Sequence, residues 1–211
     1  MNNEQLKTKV SAVTNLTDAR YFAAKEVDYL GFNLEEGTPG YLDPMYMKAI
    51  REWVAGPKIV GEFTKLPIAH VKAALDFFGL DAVQLTAEHH EDSLLQLPGV
   101  EIILHLNGAV DARTLERTFR GAAPNVSCFL LDFSETSDWE TILTENIDFW
   151  NELFSLRPTL LQADVSAAQL PELLQKFKLG GFSLVGGEEE QVGVKSFEEI
   201  DEIFDALELI A

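Results

Sequence analysis

Short apolar runs rich in β-branched and aromatic residues alternate with stretches of helical periodicity along the whole chain. The apolar runs lack a polar face over most of their length, which is typical of strands buried on both sides of a parallel sheet. The pattern predicts eight strands, at Lys9–Val13, Tyr29–Phe32, Lys58–Phe63, Ala82–Leu85, Glu101–Leu106, Ser127–Asp132, Thr159–Gln162 and Gly181–Val185.

Helical segments lie between these strands, and several carry terminal signals. Asn15 or Thr17 is a candidate N-cap for the first helix. Asp43 followed by Pro44 is an N-cap with proline in the first turn, and Gly79 is a suitable C-terminal residue. The predicted helices are Thr17–Ala24, Pro44–Val54, Ile68–Phe78, Leu115–Arg120, Trp150–Leu156, Ala167–Phe177 and Phe197–Leu209.

Strands that alternate with helices predict an α/β fold, either a (β/α)8 barrel or a doubly wound sheet. No G-x-G-x-x-G segment follows the first strand, which disfavours a dinucleotide-binding sheet. The chain has 211 residues. This length suits one barrel, so residues 1–211 are interpreted as a single domain.

The composition of the chain excludes several classes of binding partner and indicates its cellular location. Sixteen Lys and Arg residues against thirty-five Asp and Glu residues give a formal charge of −19. This balance argues against nucleic acid and anionic membranes as partners, because both require a basic surface. The single cysteine, Cys128, excludes an internal disulfide. No apolar run approaches the roughly 20 residues of a membrane helix, and the N-terminus lacks a secretory apolar core, so a cytoplasmic location is expected.

In a (β/α)8 barrel, chemistry is carried by the carboxyl ends of the strands and the loops that follow them. One such loop, Glu88–Asp92, contains residue types that bind metals. Adjacent histidines usually point in different directions, and no ligand set recurs at metal-site spacing. The segment is therefore interpreted as a solvated helix start, and no metal or cofactor is predicted.

Three segments carry a family resemblance: residues 9–42 (KVSAVTNLTDARYFAAKEVDYLGFNLEEGTPGYL), residues 80–85 (LDAVQL) and residues 193–196 (GVKS). In this order they resemble phosphoribosylanthranilate isomerase, a (β/α)8 (TIM) barrel enzyme of tryptophan biosynthesis. The family reaction is the Amadori rearrangement of N-(5-phosphoribosyl)anthranilate. The resemblance implies this fold, an isomerase activity and a small sugar-phosphate substrate.

The resemblance also implies two catalytic positions. The family's strand 1 ends in K-[IV]-C-G, whose cysteine is the general base, and Ser11 occupies that position. A serine hydroxyl is a far weaker base than a thiolate unless another group activates it, so Ser11 with help, or Glu62, would have to replace it. The family's general acid ends strand 6, where Asp132 stands. A carboxyl at the mouth beside Phe133 is expected to have a raised pKa; alternatively, Asp132 only binds a neighbouring loop.

Binding positions follow from the same resemblance. The family's S-P-R-Y segment matches residues 38–41, where Gly40 replaces the arginine. Its glycine-rich phosphate-binding turns after strands 7 and 8 match Ala163 and Asp164, and Gly186 and Gly187. Asp164 would repel phosphate, or would serve with Ser166 as the N-cap of the next helix. The implied substrate- and phosphate-binding positions are Gly40, Gln84, Asp164, Gly186 and Gly187.

Three hypotheses on function stay open. The chain is a divergent isomerase acting weakly, or on an altered N-glycosylamine or sugar phosphate. Alternatively, it is an inactive barrel that serves as a binding or interaction protein, or a barrel that binds a neutral or cationic small ligand. Each predicts a small-molecule or protein partner and no nucleic acid or membrane, in a monomer or a homodimer.

Overall fold

The computed structural model of the chain describes residues 6–89, 91–186 and 197–210. Its strands are parallel and pair in chain order, and the last strand pairs with the first, so the sheet is a closed barrel. The predicted (β/α)8 barrel is therefore confirmed. The strands are β1 (Lys7–Ser11), β2 (Tyr29–Asn33), β3 (Lys58–Phe63), β4 (Ala82–Thr86), β5 (Glu101–Asn107), β6 (Val126–Asp132), β7 (Thr159–Gln162) and β8 (Gly181–Val185).

Helices surround the barrel. They are α1 (Leu16–Ala24), α2 (Pro44–Trp53), α3 (Ile68–Phe78), α4 (Glu91–Leu94), α5 (Ala112–Gly121), α6 (Trp139–Thr144), α7 (Ile147–Phe154), α8 (Leu170–Lys176) and α9 (Phe197–Ile210). A single 3₁₀ turn, Ala167–Gln169, precedes α8. The predicted helix Ala167–Phe177 is thus a 3₁₀ turn followed by a shorter α-helix.

Local signals account for most helix ends. The Asn15 side chain accepts the N–H of Asp18 at 2.9 Å, and the Asp43 side chain accepts that of Met45 at 2.8 Å. Each bond satisfies one of the backbone donors that a helix start leaves unpaired. Gly79 ends α3 in the left-handed conformation, at φ +60°. These three sequence predictions are confirmed.

The first strand differs from its prediction. It ends at Ser11 and not at Val13, because Ala12 adopts a left-handed conformation with φ +55°. The N–H of Ala12 donates to Glu62 Oε2 at 3.0 Å, and the N–H of Val13 donates to the carbonyl of Gly31 at 2.9 Å. These bonds turn the chain over the barrel mouth immediately after Ser11.

Helix α4 was expected only as a helix start within Glu88–Asp92, and helix α6 was not predicted. They span four and six residues, too short for an apolar stripe of helical period to be distinguished. Helix α5 starts before the predicted Leu115, because Asp111 accepts the N–H of Thr114 at 3.0 Å and caps the chain there. Helix α7 similarly begins at Ile147 after Asn146, whose side chain accepts the N–H of Phe149 at 3.1 Å.

Apolar packing occurs in two layers. The larger core lies between the outer face of the sheet and the helices. The smaller cluster fills the barrel interior and consists of Tyr29, Val60, Ala82, Ile103, Cys128, Leu130 and Leu160. The inward positions nearer the carboxyl ends of the strands are polar, so the barrel changes character along its axis.

None of the helices within the described ranges is both long and apolar enough to cross a membrane.

Candidate functional site

The register of the barrel brings polar residues together at the carboxyl ends of the strands. Glu62 on β3 is level with Gln84 on β4, Thr86 is level with His105 on β5, and Asp132 on β6 is level with Gln162 on β7. Residues that pair across neighbouring strands project from the same face of a sheet. A ring of polar side chains therefore lines the upper interior.

A charged pair occupies one side of this interior. Lys9 is fully buried, and its Nζ lies 2.5 Å from Oε1 of Glu62, which is 9% exposed. A Cβ atom on Gly31 would lie 2.0 Å from Glu62 Oε1 and 2.7 Å from Lys9 Nζ, so the pair packs against a bare backbone. Glu62, which the sequence suggested as a replacement base, is thus engaged as the counter-ion of Lys9.

Ser11, at the family's base position, is 5% exposed and has both of its hydrogen-bonding roles occupied. Its Oγ accepts a bond from Lys9 Nζ at 2.5 Å and lies 3.0 Å from the Oγ of Ser183. Ser183 donates its one hydroxyl hydrogen to Gln162 Oε1 at 2.8 Å, so Ser11 is the donor to Ser183. An oxygen that accepts from an ammonium group is poorly placed to remove a proton.

The chain of hydrogen bonds continues to the opposite side of the mouth. Gln162 Nε2 donates to the Oγ of Ser134 at 3.1 Å, and Ser134 Oγ donates to Asp132 Oδ1. The backbone N–H of Ser134 also donates to Asp132 Oδ1, at 2.8 Å. Donors therefore run in one direction, from the ammonium of Lys9 to the carboxylate of Asp132.

Asp132 forms a second contact with an imidazole. Its Oδ2 lies 2.9 Å from Nε2 of His105, and the two side chains are 20% and 27% exposed. Burial raises the pKa of Asp132, but the hydrogen bonds from His105 and Ser134 outweigh it and hold the pKa below its ordinary value. The expected raised pKa is therefore wrong, because the neighbours stabilise the charged form.

His105 was not recognised from the sequence as a site residue. Its signal was its position: Asn107 is level with Asp132 in the sheet, and His105 stands two residues earlier on the same inward face. Side chains two residues apart on a strand share a face. A histidine near the carboxyl end of a barrel strand is thus a candidate for chemistry even where no motif contains it.

The binding positions that the resemblance implies have different surroundings in the structure. Gly40 is exposed at φ +74°, with no atom within 4 Å of where a Cβ would stand. Gln84 faces the interior, and its Oε1 is buried with no hydrogen-bond partner in the described part of the chain. The N–H of Gly186 donates to the carbonyl of Ser11 at 2.7 Å, so it is already used. Gly187, Glu188–Glu190 and the GVKS segment lie outside the described residues.

Asp164 is not the cap of the following helical turn. That role falls to Ser166, whose N–H and Oγ both lie 2.9 Å from Gln169 Oε1. Asp164 is exposed and lines a small cleft of about 60 Å³ together with Ala163, Gln162 and Ser134. The cleft lies at the ends of β7 and β8, and Asp164 places a carboxylate in its lining.

The histidine-rich segment after β4 shows no metal-site geometry in its described portion. The ring nitrogens of His89 lie 3.3 and 3.0 Å from the carbonyl oxygens of Thr86 and Leu66. Across residues 6–89, 91–186 and 197–210, no group of three or more His, Cys, Asp or Glu side chains is arranged to hold a metal ion.

The fold and the mouth define a (β/α)8 barrel whose acidic and imidazole groups meet at the catalytic end of the strands. A family model described as N-(5'phosphoribosyl)anthranilate (PRA) isomerase matches residues 8–206. The chain belongs to this family.

Individual relatives agree with this assignment. An N-(5'-phosphoribosyl)anthranilate isomerase of Pelobacter propionicus is 28% identical over 200 residues, which cover 93% of each chain. The solved phosphoribosyl anthranilate isomerase of Thermus thermophilus is 22% identical with a TM-score of 0.73, over 98% of this chain and 100% of the other. A phosphoribosyl anthranilate isomerase solved with reduced 1-(o-carboxyphenylamino)-1-deoxyribulose 5-phosphate is 19% identical with a TM-score of 0.74, over 96% and 98%.

Proposed function

We propose that this chain is a divergent isomerase that acts at the barrel mouth on an aldose-derived small molecule, an N-glycosylamine or a related sugar phosphate. The observation that carries the proposal is Asp132, which stands at the end of β6 in direct contact with a titratable imidazole, 2.9 Å away. A carboxylate beside an imidazole at the catalytic end of a barrel is an arrangement suited to proton transfer.

The family reaction needs a group that removes a proton from a sugar carbon. The chain carries Ser11 where the family has its cysteine, and this hydroxyl accepts a bond from Lys9 Nζ at 2.5 Å. Proton abstraction requires a basic oxygen, and a nearby positive charge lowers its basicity because it opposes the binding of a further proton there. We therefore propose that N-(5'-phosphoribosyl)anthranilate is converted slowly, or by another base.

Recognition of the family substrate is also altered. Gly40 supplies no cation for a carboxylate, and the exposed carboxylate of Asp164 stands at the ends of β7 and β8. The missing cation at Gly40 bears on the substituent of the substrate nitrogen, whereas Asp164 stands at the end that the resemblance assigns to the phosphate. We propose a preference for neutral or cationic nitrogen substituents over the anthranilate carboxylate.

The direct test is the fluorescence decay of freshly generated phosphoribosylanthranilate with purified protein. We expect decay above the spontaneous rate that is lost in Asp132→Asn. The matched control is Glu135→Gln, which alters an exposed carboxylate in the loop after β6 and should leave the rate unchanged. No decay at high protein concentration would exclude N-(5'-phosphoribosyl)anthranilate as a substrate. N-glycosylamines of uncharged amines would then be tested for turnover.

A second candidate is a barrel without catalysis that binds a small ligand. The observation in its favour is that the hydroxyl of Ser11 is committed as both donor and acceptor, so one half of the family's acid–base pair is occupied internally. A thermal-shift panel of sugar phosphates and amines separates the candidates. Ligand-dependent stabilisation without any turnover supports the binding role and contradicts the isomerase.

The proposal also covers the partner, the compartment and the assembly. The partner is a small metabolite, the compartment is the cytoplasm where such intermediates are made, and the assembly is a monomer or a homodimer. The chain is proposed to act as a single domain over residues 1–211.

A further inference from the structure

His105 is held in one orientation, with a hydrogen fixed on Nε2. Its Nε2 lies 2.9 Å from Asp132 Oδ2, and an ionised carboxylate can only accept hydrogen bonds, so Nε2 carries a hydrogen. Fixing the hydrogen on one ring nitrogen leaves Nδ1 as the atom that can gain or lose a proton. Nδ1 has no hydrogen-bond partner among the residues that the structure describes.

The imidazole lines an open cavity of about 400 Å³ between the ends of β4 and β5 and helix α5. This volume is in the range that holds a small organic ligand. Its lining includes Thr86 and Glu88 from β4 and the loop after it, and Asn107, Thr114 and Thr118 from β5 and α5.

The charged groups that face His105 can be named for each neighbouring element. Asp132 faces it from β6, and Glu88 faces the same cavity from the loop after β4, with its own partner Lys65 at 3.8 Å. Apart from His105 itself, the side chains that line the cavity from β5 and α5 are uncharged. The charged groups on this side of the site are thus the carboxylates of Asp132 and Glu88 and the ammonium of Lys65.

Other candidates for the acid and the base are committed elsewhere. Glu62 is bound to Lys9 Nζ at 2.5 Å and to the N–H of Ala12 at 3.0 Å, and Ser11 is bound to Lys9 and Ser183. Asp132 accepts bonds from His105 and Ser134, which hold its pKa low, so it is charged near neutral pH and has no proton to give. The partly exposed imidazole of His105 is the group in contact with Asp132 that can both donate and accept a proton.

We propose that His105, oriented by Asp132, is the catalytic acid and base of this site, a role that rests on the proposed isomerase function. As the imidazolium, its Nδ1 gives a proton to the ring oxygen of an N-glycosylamine while the bond from that oxygen to C1 breaks. The nitrogen lone pair forms the C1=N bond and leaves an open-chain iminium. The neutral Nδ1 then takes the proton from C2, and the bonding electrons form C1=C2 and neutralise the iminium. Return of this proton to C1, with loss of the hydrogen of the C2 hydroxyl to water, gives the ketone, and Nδ1 takes up a proton from water to restore the imidazolium.

This role differs from the two-residue scheme that the family pattern implies. One imidazole acts first as the acid and then as the base, so no separate base at Ser11 is required. Asp132 becomes a positioning residue that fixes the orientation of the ring, as a buried carboxylate does for histidine in other acid–base sites.

The test compares His105→Gln and His105→Ala with the unaltered protein on freshly generated phosphoribosylanthranilate and on N-glycosylamines of uncharged amines. We expect kcat to fall about 10²- to 10⁴-fold, which is the usual contribution of general acid–base catalysis, with little change in KM. The pH–rate profile should lose the limb that reports imidazole protonation. The control is His70→Gln, an exposed histidine on α3.

Chemical rescue separates a catalytic role from a structural one. The cavity left in His105→Ala should admit free imidazole, and added imidazole should restore part of the lost rate. Across a series of substituted imidazoles, the restored rate should vary with their basicity. Asp132→Asn should not respond to imidazole, because its own imidazole is present but misoriented.

The outcomes distinguish the two proposals. Absence of turnover by the unaltered protein on every substrate tested overturns the isomerase function and this inference together. Turnover that persists in His105→Gln overturns the inference alone, as does a lost rate that imidazole fails to restore in a folded His105→Ala protein.

Discussion

The ammonium of Lys9 and the carboxylate of Glu62 meet 2.5 Å apart inside the barrel, although β2 lies between their strands. They meet because Gly31, on the intervening strand, has no side chain to separate them. Burial of two charges is costly unless each is paired and further hydrogen-bonded. Lys9 also donates to Ser11, and Glu62 also accepts the N–H of Ala12, so both conditions are met.

Removing one partner of this pair should be far worse than removing both. We expect Glu62→Leu to lower the free energy of unfolding by about 3–5 kcal/mol, because an unpaired buried ammonium remains. The double variant Lys9→Met/Glu62→Leu should recover most of that loss. Urea denaturation measures both, and Glu152→Gln, which breaks an exposed contact with Arg120, is the control expected to change little. Equal destabilisation of the single and double variants would contradict this account.

Ala12 should gain stability on replacement by glycine. Its φ of +55° places a Cβ in the left-handed region, where residues other than glycine are strained. We expect Ala12→Gly to raise the free energy of unfolding by about 1 kcal/mol. Ala73→Gly, in the exposed middle of α3, should lower it by about 1 kcal/mol, since glycine disfavours helix. Thermal or urea unfolding would reveal opposite signs, and a loss in Ala12→Gly would refute the prediction.

Asp132 should contribute to the pH dependence of stability. Its pKa is lower in the folded protein than its ordinary value, so the unfolded chain takes up a proton first as the pH falls. The stabilisation is therefore complete above about pH 4, the usual range of a free aspartate, and is lost at lower pH. The difference in unfolding free energy between the unaltered protein and Asp132→Asn should shrink from pH 5 to pH 3. A difference that grows as the pH falls over this range would contradict the prediction that Asp132 has a lowered pKa in the folded protein.

Cys128 should be unreactive in the folded protein. Burial, helped by the nearby negative charge of Glu101, raises the pKa of the thiol to about 12, and the side chain lies in the interior cluster. Thiolate is the reactive form, so a thiol reagent at pH 8 should label the native protein very slowly. The same reagent should label it at once in guanidinium chloride. Rapid labelling without denaturant would mean that the interior opens readily.

Local chemistry explains which parts of the fold could be predicted. The caps at Asn15 and Asp43 and the glycine that ends α3 depend on neighbours only a few residues away, and sequence alone identified them. The strands were found because burial on both faces leaves continuous apolar runs. The short helix α6 was missed because six residues cannot display a helical period.

The candidate site was predicted only in part, because its key contacts join residues distant in sequence. Asp132 was identified, but its pKa depends on His105, which lies 27 residues earlier along the chain. Glu62 was named as a possible replacement base, but its partner Lys9 is 53 residues away along the chain. Register across several strands decides both contacts, and a linear pattern contains no such information.

The series of side chains from Lys9 through Ser11, Ser183, Gln162 and Ser134 to Asp132 also sets how deeply a ligand can enter. These groups already satisfy one another, so a ligand that displaced them would have to replace every bond that it broke. These side chains therefore close the barrel interior below the mouth. A ligand can reach only the space above them, next to His105 and the loops that follow the strands. Choice of substrate should then reside in the rim, and exchanging single rim loops should alter selectivity while the barrel beneath keeps its stability.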